Sequence, residues 1–125
     1  VTAVADYWGP HRPAGPEYGA PLSDVEPFMP DYYTRPSLYR HDPSVDGPSE
    51  RAIIGARGNP GALVWVYRAV PPGIRGAIRR GDWVTTSRAY AQRHAEDGWG
   101  VASLRVRAGD LWTSGDSINE WGYWP

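Results

Sequence analysis

Nine of the chain's thirteen prolines fall within residues 1–48, and that placement limits the fold more than any other feature. Each proline removes a backbone donor and fixes φ, so sheet is not expected to run through "YWGPHRPAGPEYGAPL" or "EPFMPDYYTRPSLYRHDP". The same segment holds Tyr7, Trp8, Tyr18, Phe28, Tyr32, Tyr33 and Tyr39, which offer large areas to bury. It is expected to wrap over the domain as ordered loop, with one helical turn near Asp31 to Thr34. Regular structure is left to residues 49–125.

There the elements punctuate themselves. "GPSERAIIGARGN" predicts a helix from Ser49 to Arg57, capped by Ser49 and closed by Gly58. Ala62 to Val70 is the clearest strand, rich in β-branched and aromatic residues. "PPGIRGAIRRG" reads as a connection with at most one helical turn, and Asp82 to Ser87 as a second strand. A helix follows in "SRAYAQRHAE", with Tyr90, Ala91, His94 and Ala95 on one stripe. Gly100 to Ala108 and "INEWGYW" are the remaining strands.

Proline and glycine together make 28 of the 125 residues, but seven Trp and eight Tyr argue for one folded, loop-rich domain over 1–125. Without cysteine there is no disulfide, thiolate metal site or thiol nucleophile. His11, His41 and His94 show no ligand spacing, so no metal is expected. No apolar run approaches a membrane span and no signal peptide is visible, so a cytoplasmic location is expected. Residues 1–50 hold eight acids and three arginines, whereas residues 51–93 hold eight arginines and only Asp82. That basic middle suits either an anionic partner or a solvated face.

Strand alternation then isolates three polar groups. Val64, Val66, Arg68 and Val70 share one face, and an arginine among valines is costly to bury unless it meets an anion. Thr85 lies with Trp83 and Ser87, opposite Thr86. Glu120 lies with Ile118, Gly122 and Trp124, a carboxylate expected to be buried among aromatics. Arg68 and Glu120 could form a structural ion pair, and Ser87 could simply cap the next helix.

The blocks "VYRAV", "GDWVTTSRAYAQRHA" and "GDSINEWGYWP" resemble the ADP-ribosyltransferases of the Arg-Ser-Glu type. That family has an arginine on an early core strand, a Ser-Thr-Ser-like triplet ending a second, and a catalytic glutamate starting a late one. Those fall on Arg68, on Thr85-Thr86-Ser87 and on Glu120, so the likeness covers residues 62–125. The proline-rich lead-in is similar to segments preceding such domains in phage and mobile-element proteins. The resemblance implies an α+β class, a compact split two-sheet fold with few helices and NAD in the cleft between the sheets.

It also implies roles. Arg68 would pair with the NAD diphosphate, and the Ala69 backbone would hold the nicotinamide amide. Thr85 would bond to Glu120 and the nicotinamide ribose. Thr86 and Ser87 would complete the cofactor contacts, while Tyr90 would either stack on nicotinamide or fill the core. Glu120 would grip the ribose 2′-hydroxyl and stabilise the cation formed as nicotinamide leaves. On that view Arg68→Ala loses NAD affinity and leaves the fold intact.

Two departures stand out. Thr85 replaces the usual serine, and its hydroxyl can make the same bonds. Ile118 stands where relatives that modify arginine carry a second glutamate, so arginine is expected to be a poor acceptor. The expected activity is ADP-ribose transfer from NAD to a macromolecule, in a toxin or phage modifier, with RNA or DNA favoured over protein. The alternatives are an NAD glycohydrolase, or a non-catalytic module binding nucleic acid or an acidic protein.

Overall fold

The computed structural model describes residues 13–75 and 78–125. Tyr7, Trp8 and His11 lie outside them, as does part of the connection for which one helical turn was considered. Among the described residues, two antiparallel sheets and two α-helices make a mixed α/β architecture. One sheet pairs β2 (Leu63–Val70) with β4 (Gly100–Arg107) along their whole length. The other contains β1 (Ala20–Pro21), β3 (Trp83–Val84), β5 (Leu111–Thr113) and β6 (Trp121–Tyr123), in the order β1-β5-β6-β3. The helices are α1 (Pro43–Gly55) and α2 (Arg88–His94).

Prolines do enter the sheet, contrary to expectation, but only at its rim. Pro21 sits on the edge strand β1, opposite Trp112, where a missing donor costs no ladder bond. Part of the described segment is packed more deeply than a wrap: Leu22, Val25, Met29 and Tyr32 are fully buried in the core with Ile53, Val66, Leu111 and Trp121. The turn near residues 31–34 is present, closed by Arg35 N–H on the Asp31 carbonyl at 2.8 Å, and a 3₁₀ turn follows at Pro36–Tyr39.

Helix α1 begins six residues before the expected Ser49. Asp42 caps it, accepting from Ser44 N–H, and Pro43 occupies the first turn, where no donor is needed. Pro48 lies inside the helix and denies the Ser44 carbonyl its partner. Ser44 is exposed, so water can take that place. The second strand is also shorter than the predicted Asp82 to Ser87, because the chain leaves the sheet after Val84.

Among the described glycines, Gly122 has the least room for a side chain. A Cβ there would stand 2.1 Å from the Ala14 carbonyl oxygen, so only glycine lets residues 13 and 14 lie across β6. The Trp124 indole donates to that same oxygen at 2.9 Å.

Candidate functional site

The two sheets are joined where Tyr67 and Thr85 form an isolated antiparallel bridge. Tyr67 N–H donates to the Thr85 carbonyl at 2.7 Å, and Thr85 N–H returns a bond at 2.9 Å. A cleft of about 450 Å³ opens beside this joint. Strand β2 lines it with Tyr67, Arg68 and Ala69, and Trp83, Val84 and Thr85 follow from the β3 side. Helix α2 adds Tyr90, Ala91 and His94, and Trp99, Asn119 and Glu120 complete the wall.

Five of the expected site residues therefore meet at one cavity: Arg68, Ala69, Thr85, Tyr90 and Glu120. Thr86 and Ser87 do not line it. Ser87 Oγ caps α2, accepting from Tyr90 N–H at 3.2 Å. Thr86 turns inward to a buried chain of side chains. Its hydroxyl donates to Ser49 Oγ at 2.8 Å, Ser49 donates to Asn119 Oδ1 at 2.7 Å, and Asn119 Nδ2 donates to Asp46 Oδ1 at 2.7 Å.

Glu120 is half-buried rather than buried. A bend at residues 118–119 breaks the strand alternation expected there, sending Ile118 into the core while Asn119 and Glu120 face the cleft. The partner of the carboxylate also differs from expectation. Tyr90 Oη donates to Glu120 Oε1 at 2.5 Å, whereas Thr85 Oγ1 accepts from Ser87 N–H. Burial, then the bond to Glu120, pushes the Tyr90 hydroxyl far up, so it stays a donor across the physiological range. Its ring packs on His94, with centroids 4.4 Å apart.

Arg68 pairs with Asp82, not with Glu120. Nη1 lies 2.7 Å from Asp82 Oδ1, and each side chain is only 6% exposed. Asp82 Oδ2 also accepts from Arg79 N–H at 2.7 Å. The lone acid of the basic middle thus neutralises the arginine of the apolar strand. Two further arginines of this stretch are also paired, Arg57 with Glu26 and Arg93 with Asp42.

Sequence reasoning missed Asp46, Ser49 and Asn119 because their meeting is long-range, across more than sixty residues. His94 was visible on its helical stripe, yet it faces the cleft. Among the described residues, no group of three or more His, Asp or Glu could hold a metal ion, and no helix is long and apolar enough to cross a membrane.

Comparison of the chain with protein-family models, curated proteins and solved structures finds no match. What the cleft can do has to be read from its own residues.

Asp46 gives a pH test of the frame behind it. Burial alone would raise its carboxyl, but the N–H groups of Asp42 and His41 and the Asn119 amide outweigh it and hold it below the usual range. A depressed folded-state value stabilises above the ordinary aspartate value and is lost as pH falls through the folded one. Thermal melts should show stability falling once pH drops below about 4, and Asp46→Asn should flatten that fall. An unchanged acid limb in the variant would remove Asp46 from the account.

Proposed function

We propose that the chain is an NAD-dependent ADP-ribosyltransferase of the Arg-Ser-Glu type, with Glu120 as the catalytic carboxylate. The observation that carries this reading is convergence. Arg68, Thr85 and Glu120, from three separate stretches, line one cleft at the junction of two sheets. The cleft chemistry fits a dinucleotide: aromatic faces at Tyr67, Trp83, Tyr90 and Trp99 suit flat rings, and one wall ends in a carboxylate.

NAD supplies an ADP-ribosyl group whose bond to nicotinamide breaks with its electron pair leaving on the nicotinamide nitrogen. An acceptor nucleophile bonds to the same ribose carbon and releases a proton. Positive charge therefore develops on the ribose, and a carboxylate on the cleft wall such as Glu120 would stabilise it. Tyr90 fixes the orientation of that carboxylate through one oxygen, leaving the other to accept from a ribose hydroxyl. Ala69 offers main-chain groups to an amide. Arg68 serves the diphosphate, with Asp82 holding the guanidinium plane in place.

A glycohydrolase, with water as acceptor, is favoured by one feature. Ile118 is buried in the core, so its position presents nothing to an incoming acceptor. Chromatographic detection of nicotinamide released from NAD tests the shared step. Incorporation of tagged NAD into RNA, DNA or protein separates transfer from hydrolysis. No nicotinamide release from the folded protein would end both readings.

A further inference from the structure

We infer that the outer face of the β2–β4 ribbon is a track for single-stranded nucleic acid leading to the cleft. Leu63, Trp65 and Tyr67 alternate along β2 on one face, and Leu63 and Trp65 are 55% and 51% exposed. Directly across, Arg107 faces Leu63, Arg105 faces Trp65 and Ser103 faces Tyr67. The Arg105 guanidinium lies 6.0 Å from the Trp65 ring centre. Arg88, from α2, lies 5.8 Å from the ring of Tyr67, which itself lines the cleft.

Charge decides the occupant. Neither β2 nor β4 carries a carboxylate. Among the described residues, Arg105 and Arg107 take part in no ion pair, unlike Arg57, Arg68 and Arg93. A half-exposed tryptophan flanked by unneutralised guanidinium groups combines a stacking platform with phosphate binding, the pairing that single strands require. Successive outward residues stand about 6.7 Å apart, so bases and phosphates of an extended strand can be met in alternation. An acidic peptide would engage the arginines but leave the indole face unused. That the bound strand is the acceptor rests on the transferase reading above; that it binds here does not.

The test uses fluorescence anisotropy of labelled oligothymidylate and oligouridylate, without NAD. Binding should weaken steeply between about 50 and about 200 mM salt. Trp65→Ala should weaken it about tenfold. The double variant Arg105→Ser, Arg107→Ser should lower the salt slope by about 1.4, two single-strand phosphate contacts. Nicotinamide release from NAD should be unchanged in both variants, because none of the three residues lines the cleft. Oligonucleotide binding without any nicotinamide release would leave the track standing and remove the transferase. Absent binding, or binding untouched by either variant, overturns the track. So does equal binding of polyglutamate, or a Trp65-dependent dimer that ignores oligonucleotides.

Discussion

Arg68→Ala is expected to cost about 3–5 kcal/mol of folding stability, because it removes the guanidinium that lies 2.7 Å from the buried Asp82 carboxylate. For a domain of this size that lowers the melting midpoint by about 10–20 °C. The sequence pattern alone points the other way, since the valines around Arg68 survive the change. Its ion-pair partner reverses the expectation. Combining Arg68→Met with Asp82→Asn should recover most of the loss, as both charges leave together while an acceptor for Arg79 N–H remains. Arg68→Ala melting with the parent protein would dismiss the pair as a structural element. Calorimetry of NAD binding by Arg68→Lys, which keeps the charge, then isolates the role of the planar fork.

Glu120→Gln should bind NAD nearly as the parent does and release nicotinamide about 10²–10³ times more slowly. A carboxylate about 4 Å from a full positive charge contributes roughly 4 kcal/mol at an effective dielectric near 20, close to three orders of magnitude in rate. The amide keeps the shape and an oxygen for Tyr90, so the fold should stand, as a melting curve would show. A loss in the turnover rate with little change in KM is the signature of an interaction made chiefly in the transition state. Turnover at the parent's rate would take Glu120, and with it the enzyme reading, out of consideration.

Local sequence was most informative where composition or period was strong. Leu63–Val70 is rich in β-branched and aromatic residues and Gly100–Arg107 alternates, and both strands emerge within a residue of where the sequence puts them. Ser87 is a cap by composition and by structure. Proline misled twice, for opposite reasons. Pro43 favours a helix start instead of forbidding the helix, and Pro21 is harmless at a sheet edge.

Ile118 and Glu120 show a different limit. Period-two reasoning gives them one face, but the bend before β6 separates them, and no residue signal marks that bend beyond Ser117 and Asn119 themselves. The Asp82 partner of Arg68 was in plain view as the one acid among eight arginines. What sequence cannot rank is which of several carboxylates fourteen or fifty residues away will reach a buried cation.

The joint at Tyr67 and Thr85 is made of main-chain atoms only, so the gap between the sheets does not depend on either side chain. Parting the sheets at this point has to break both of the joint's amide hydrogen bonds. Hydrogen exchange at those amides, set against exchange within the β2–β4 ladder, would time the cleft's breathing apart from global unfolding. A ligand straddling both sheets would slow the exchange of those two protons before any bond in it is broken, which turns a pair of backbone hydrogens into a clock for occupancy.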